Sequence, residues 1–115
     1  MQRIQYGELL EDDQQLARER ERMALDQSIL LLEQAGAADA SSVHAAEAIA
    51  FTSKLWTVLV EDLANPDNGL PKQLRAQIVS IGIWILRDLE QARTSASHDL
   101  SDVVAVSKAI RDGLT

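Results

Sequence analysis

Hydrophobic residues recur at helical spacing in four segments of the chain, separated by short polar breaks. The first segment covers residues 8–35, and one of its faces repeats every seven residues with Leu9, Leu16, Met23 and Leu30. Positions seven apart lie on the same side of an α-helix. Charged side chains dominate the first half of the segment, whereas Leu25, Ile29 and Leu32 make the second half more apolar. We therefore expect the second half to pack and residues 1–20 to be mobile or to project outward.

The second segment, about residues 42–64, carries two apolar stripes on different faces. One stripe consists of Ile49, Trp56, Val60 and Leu63, and the other of Phe51, Leu55 and Val58. A helix in a bundle usually needs only one buried face, so the other can be offered to a partner. We assign the Trp56 stripe, which runs to the end of the helix, to the core. The Phe51 stripe, with Lys54 and Asp62 as its polar rim, is the candidate docking surface.

Two breaks delimit this second helix. At residues 65–71, Pro66 disfavours helical geometry before it and Pro71 suits the first turn of the following helix. The earlier break, at residues 36–42, contains Gly36, which suits a helix end. It also contains three residues that could cap the start of the second helix: Asp39, Ser41 and Ser42.

The third segment, about residues 71–93, is apolar nearly all the way round. Its main stripe consists of Leu74, Ile78, Ile81, Ile85 and Leu89, and a second consists of Val79, Ile83 and Leu86. A helix of this kind is typically central in a bundle, and we predict that position for it. Gly82 inside it would allow a neighbouring helix to approach closely. Trp84 lies off the main stripe, where a core and a binding role are equally open, and it joins Ile83 as a candidate partner-binding residue.

The fourth segment, about residues 100–112, has a single apolar face. Its members are Leu100, Val103, Val106 and Ile110. Asp99 or Ser101 is placed to cap its start, and Gly113 ends it. The four segments together predict an all-α fold, a compact bundle of about four helices that forms a single domain over residues 1–115.

Composition narrows the possible partners. The formal net charge of -7 repels phosphate backbones, so direct binding to nucleic acid is not expected. The chain has no cysteine, which fits a reducing cytoplasm. Its longest apolar stretch, residues 81–86, is far shorter than the ~20 residues that cross a bilayer. We expect a cytoplasmic protein without a membrane partner.

No pattern of catalytic residues is present in the sequence. His44 and His98 have no metal-ligand spacing around them, and no nucleophile motif or phosphate-binding glycine loop occurs. The adjacent carboxylates Glu61 and Asp62 would point about 100° apart on a helix and so form no acid/base pair by spacing alone. We expect a non-catalytic protein that needs neither a metal nor a cofactor and binds another protein.

Several features occur in a characteristic order. They are a Leu-Trp pair at 55–56, a Pro-Asp-Asn turn at 66–68, Leu-Pro at 70–71, a helix with the internal glycine at 82, and the ending Ile-Arg-Asp-Gly-Leu at 110–114. In this combination the chain resembles the FlaF family of flagellar biosynthesis regulators of alphaproteobacteria, over nearly its whole length. The Arg-Glu-Arg-Glu-Arg run at 18–22 is similar to the rhizobial branch. Ser53 and Gly69 depart from the usual family residues, which puts in doubt a role for a basic pair before Leu55.

The resemblance implies a cytoplasmic factor needed for flagellin production and filament assembly. The family is paired with FlbT, a post-transcriptional regulator of flagellin messenger RNA, and is linked to flagellin itself in a chaperone-like role. An acidic helical bundle with surplus apolar stripes suits the capture of amphipathic flagellin segments. The alternative is a regulator of flagellin translation that acts with FlbT or contacts RNA. RNA contact would need a basic patch, and the sequence offers none.

Overall fold

Four α-helices follow one another along the chain in the predicted order. They are α1 (Tyr6–Ala37), α2 (Val43–Ala64), α3 (Lys72–Thr94) and α4 (Ser101–Gly113). The computed structural model describes the backbone of residues 6–37, 43–94 and 99–113, and the side chains of 15–36, 43–94 and 99–113. Within those ranges there is no strand, so the prediction of an all-α bundle of four helices is confirmed. The predicted caps Asp39, Ser41 and Ser42 lie outside the described residues.

The inner helices of the bundle are α1 and α2. They pack against each other, α3 packs against α2, and α4 packs against α1. The prediction that the third helix is central is therefore wrong. Gly82, Ile85 and Leu89 of α3 are buried, but Ile83 and Trp84 on its other sides are each 41% exposed. The apolar circumference of α3 offers several faces for packing, and the bundle leaves some of them uncovered.

Facing stripes of α1, α2 and α3, joined by α4, form the core. Its largest fully buried hydrophobic side chains are Trp56, Leu25, Ile85, Leu89 and Val103. In α2, Ile49, Trp56 and Leu63 are buried and Val60 is half-buried, so the predicted core stripe is largely confirmed. Ala48 and Leu59 complete the buried arc of this helix.

In the described part of α1, the packing against the rest of the bundle comes from the second half of the helix. Leu25, Ile29 and Leu32 are buried, whereas every side chain from 15 to 20 is exposed. This confirms the prediction of a packed second half. The cause is the distribution of apolar residues, because the charged first half has little hydrophobic area to bury.

Gly82 marks the close approach of α3 to α2. A Cβ atom at this position would lie 2.6 Å from Cγ2 of Val60 and 3.0 Å from Cε3 of Trp56. Both distances are well below the ~3.5–4.0 Å of a good carbon–carbon contact. The predicted role of Gly82 in close packing is confirmed, because any side chain there would push the helices apart or force Trp56 to move.

Arg75 joins the start of α3 to the end of α2. Its Nη1 atom donates hydrogen bonds to the carbonyl oxygen of Asn65 at 2.9 Å and to that of Leu63 at 3.3 Å. Carbonyls at a helix end have no partner within the helix, and a cation is favoured there by the helix dipole. Within the turn itself, the Oδ1 atom of Asn65 accepts a hydrogen bond from the backbone N–H of Asp67 at 2.9 Å. These contacts fix the direction in which the chain leaves α2.

The last helix, α4, packs on α1 and is capped as predicted. The Oδ1 atom of Asp99 accepts a hydrogen bond from the backbone N–H of Ser101 at 2.9 Å. Two ion pairs connect α4 to α1, Lys108 with Glu33 at 3.0 Å and Arg111 with Asp26 at 3.1 Å. Since their side chains are partly in solvent, each contributes only ~0.2–1 kcal/mol. The apolar contact through buried Val103 is therefore the main attachment of α4.

Candidate functional site

Exposed hydrophobic side chains lie on faces that the bundle leaves uncovered. In the described part of the chain they are Leu16, Met23, Leu30, Val43, Phe51, Val58, Leu74, Ile83 and Trp84. A single exposed hydrophobic residue has little meaning, but several at helical spacing form a face that a partner can cover. Among the described residues, such faces lie on α1 and α2, whereas α3 carries exposed hydrophobic side chains on separate sides.

The face on α2 contains the candidate docking stripe, Phe51, Leu55 and Val58. Phe51 is 38% exposed and Val58 is 55% exposed, whereas Leu55 is half-buried and packs against the core. Lys54 and Asp62 beside the stripe are exposed, in the positions expected of a polar rim. Solvent thus reaches the outer part of the stripe, and Leu55 links it to the core. A role in binding stays a prediction.

On α3, the two candidate binding residues Ile83 and Trp84 are equally exposed but do not share one face. They are adjacent in sequence, and adjacent helical residues point about 100° apart. Val79 and Leu86, on the side of Ile83, are half-buried. A partner that covers Ile83 would therefore also contact Val79 and Leu86. Trp84 would lie outside that contact.

The face on α1 is the seven-residue repeat seen in the sequence. Leu16, Met23 and Leu30 are 48%, 70% and 49% exposed. They lie on the side of α1 opposite the buried Leu25 and Leu32, as the helical period requires. This repeat is thus an uncovered surface, and the core contacts come from residues between its members.

A narrow cleft opens at the end of the bundle where α2 turns into α3. Its walls are mostly apolar, and its enclosed part has a volume of about 40 Å³. The lining residues come from all four helices and the turn: Glu21, Leu25, Trp56, Leu59, Asp62, Leu63, Asn68, Leu70, Ile78 and Ile110. Pockets for small-molecule ligands typically have ~300–1,000 Å³, so the enclosed space corresponds to one side-chain tip.

Two carboxylates from different helices face this cleft. Burial raises the pKa of the Glu21 carboxyl above its ordinary value of 4.5, and the neighbouring Asp62 carboxylate raises it further. Arg18 acts in the opposite direction on the same pKa but does not cancel the rise. Asn68 binds the second carboxylate, since its Nδ2 atom donates a hydrogen bond to Oδ2 of Asp62 at 3.0 Å. The cleft therefore concentrates negative charge against an apolar wall.

The indole of Trp56 brings an unsatisfied donor to the same place. Its ring is fully buried and lines the cleft, and its Nε1 atom has no hydrogen-bond acceptor. The Cε3–Cζ3 edge of the ring lies against Gly82, so the opposite edge, which carries Nε1, faces away from α3. Buried indole N–H groups usually have a partner, and a group left without one costs ~1–3 kcal/mol.

The described ranges contain no candidate metal site and no candidate membrane span. No group of three or more His, Asp or Glu side chains there is arranged to hold a metal ion. His44 is exposed near the start of α2, and His98 lies outside the described residues. None of the four helices, as far as they are described, combines the length and the apolar content that crossing a membrane requires.

The fold and its surfaces define a class of protein: an all-α four-helix bundle with uncovered apolar faces and an acidic cleft at one end. A family model described as flagellar protein FlaF matches residues 2–114 of the chain. The chain therefore belongs to the FlaF family of flagellar proteins, and its role is connected with the flagellum. No curated protein and no solved structure matches it.

The end cleft was not foreseen from the sequence. Glu21 and Asp62 lie on different helices and far apart in the chain, so no spacing connects them. In the sequence, Asp62 is a rim residue of the docking stripe and a neighbour of Glu61, and neither position connects it with Glu21. The turn at residues 65–71 was the available signal, because it fixes which end of α2 meets which part of α3.

Proposed function

We propose that this FlaF-family protein acts in the cytoplasm as a non-catalytic, chaperone-like or adaptor protein that binds flagellin and supports its synthesis and filament assembly. The observation that carries the proposal is the uncovered apolar stripe on α2, together with membership of a flagellar family. Phe51 and Val58 of this stripe are exposed on an inner helix of the bundle, and another side of the same helix forms part of the core. A rigid helix that offers an apolar face is suited to receive an amphipathic segment.

The surface supports protein binding more than RNA binding. The formal net charge of -7 disfavours contact with phosphates, and the exposed stripe on α2 is aliphatic and aromatic. Regulation of flagellin messenger RNA would then run through a protein partner such as FlbT. A gel-shift assay with the flagellin leader RNA at physiological salt tests this choice. Tight, salt-dependent binding by the purified protein alone would overturn the adaptor proposal.

The docking stripe is tested with Val58→Asp and flagellin binding measured by calorimetry. Because Val58 is 55% exposed, the substitution should change the free energy of unfolding by only ~0.5 kcal/mol. Placing a carboxylate in a binding hot spot should weaken flagellin affinity by about thirtyfold or more, equivalent to ~2 kcal/mol. Phe51→Ala should weaken binding as well, with some loss of thermal stability because Phe51 is partly buried.

The matched control is Ala46→Asp. Ala46 is also exposed on α2, but it lies roughly 120° around the helix from Val58. The Ala46→Asp substitution introduces the same charge on the same helix and should leave binding unchanged.

If Val58→Asp and Phe51→Ala both melt far below the wild type, the stripe belongs to the core and the docking assignment is wrong. If both variants remain folded and bind flagellin normally, the face of α3 with Val79, Ile83 and Leu86 is the next surface to test.

A further inference from the structure

Two features of the cleft at the end of the bundle are energetically unfavourable in the free protein. The carboxylates of Glu21 and Asp62 face each other's charge at an apolar wall, and the buried N–H of Trp56 has no acceptor. Both features cost stability, and neither is needed to close the core, since apolar residues at those positions would pack without them. Such a combination is typical of a site that is completed by a ligand.

The ligand must carry positive charge and an apolar stem. Leu59, Leu63 and Ile78 supply the hydrophobic wall, and the two carboxylates supply the charge. A metal ion is a poor fit, because hard cations take six or more oxygen ligands and this wall is mostly aliphatic. A long basic side chain matches both parts, since its methylene groups pack on apolar surface while its head reaches the charged groups.

We propose that this end cleft binds an arginine side chain presented by the protein that the bundle recognises. The inference rests on the proposed function, and the occupant would belong to flagellin. The alkyl stem lies along Leu59, Leu63 and Ile78, and the guanidinium pairs with Glu21 and Asp62. Arginine fits better than lysine because its guanidinium is more weakly hydrated and has five N–H donors for two carboxylates.

The remaining polar groups are consistent with that occupant. Asn68 already binds one oxygen of Asp62 and holds the carboxylate in place, which leaves the other oxygen for the guanidinium. Arg20 and Arg22, which flank Glu21 in the sequence, and Arg18, one helical turn before it, are all exposed. Arg18 lowers the pKa of Glu21, but burial and the Asp62 carboxylate outweigh it.

The two tryptophans allow a direct test on the full chain. In a proton–nitrogen NMR spectrum, the indole N–H signal of Trp56 reports on the cleft, and that of Trp84, 41% exposed on α3, is an internal reference. Trp84→Phe assigns the two signals. Propylguanidinium, which represents an arginine tip, should shift the Trp56 signal saturably and leave the Trp84 signal in place. Propylurea, of nearly the same shape without the charge, should have little effect.

Variants then identify the carboxylates. Glu21→Gln and Asp62→Asn should each weaken propylguanidinium binding about tenfold, as the loss of one charge-assisted contact implies. Glu61→Gln removes an exposed charge from α2 beside Asp62 and should change nothing. Equal shifts with propylguanidinium and propylurea, or equal effects of all three variants, would overturn the proposal.

Flagellin binding separates this proposal from the function on which it rests. Calorimetry should show that Glu21→Gln with Asp62→Asn weakens flagellin affinity by tenfold or more. If flagellin binds the double variant as well as the wild type, the function stands and the arginine site is wrong. If flagellin does not bind the wild type, the proposed function is wrong, and a saturable Trp56 shift with propylguanidinium still supports a guanidinium site in the cleft.

Discussion

The contact between α2 and α3 is tightly packed, whereas the cleft at the end of the same two helices contains unfavourable charged and polar groups. At the contact, Gly82 brings the helices so close that the indole of Trp56 and the side chain of Val60 leave no room for a Cβ atom. At the cleft, a few residues away, Glu21 repels Asp62 and a donor on the same indole has no acceptor. One tryptophan therefore takes part in both regions. The difference indicates that the bundle derives its stability from the contact and can keep an unsatisfied site at its end.

The largest expected effect compares the two tryptophans. Trp56→Ala should lower the free energy of unfolding by ~3–5 kcal/mol, because it empties a fully buried site at the centre of the contact. Trp84→Ala should cost only about 1 kcal/mol, since its ring is 41% exposed. Urea unfolding followed by circular dichroism measures both. Similar losses for the two variants would mean that the division between contact and surface is wrong.

The next effect tests the close approach itself. Gly82→Ala should destabilise the protein by ~1–3 kcal/mol through overpacking, despite the ~1 kcal/mol that alanine normally gains over glycine inside a helix. Gly36→Ala is the matched control, because nothing lies within 4 Å of a Cβ atom there. It should leave stability unchanged or raise it slightly. A Gly82→Ala variant as stable as Gly36→Ala would show that Val60 and Trp56 can move aside.

A smaller effect concerns the hydrogen bonds that join the start of α3 to the end of α2. Arg75→Met keeps much of the side-chain volume but removes the donor to the carbonyls of Leu63 and Asn65. The expected loss is ~1.5 kcal/mol, the lower end of the range for hydrogen bonds that involve a charged group, since Asn65 is exposed. Arg87→Met, at an exposed position of the same helix, should change stability by less than ~0.5 kcal/mol. Thermal unfolding of both variants decides whether Arg75 fixes this turn.

The helices could be predicted from the sequence because each depends on local information. The breaks at residues 36–42 and 65–71 and the cap at Asp99 place the helix ends within about two residues of those observed. Periodicity also showed which faces are apolar. It did not show which apolar faces are covered, because coverage depends on how the helices pair. The third helix was for that reason placed at the centre, although Ile83 and Trp84 keep two of its sides in solvent.

The docking stripe could be predicted from the sequence and the cleft could not, because only the cleft depends on how the helices pack. Phe51 and Val58 were separated from the core by their position on the wheel of a single helix, which the sequence contains. Glu21 and Asp62 come together only when α1 lies beside the end of α2, and the unsatisfied N–H of Trp56 depends on the orientation of one ring. A surface formed by one helix can therefore be predicted from its sequence, whereas a site formed by several helices becomes visible only in the folded bundle.

The smallest effect concerns the cleft and should depend on pH. Because the pKa of Glu21 is raised in the folded protein, mainly by burial and next by Asp62, the folded state holds this proton more tightly than the unfolded state. Stability should therefore fall as pH rises from 4.5 through the raised pKa, although Arg18 reduces the loss. Glu21→Gln cannot ionise and should melt at a slightly higher temperature than the wild type at pH 7. That advantage should shrink as pH falls from the raised pKa towards 4.5. Glu61→Gln, which changes an exposed carboxylate on α2 and leaves the cleft intact, is the matched control. If the difference in melting temperature between Glu21→Gln and the wild type is constant across this range, the cleft does not raise the pKa of Glu21.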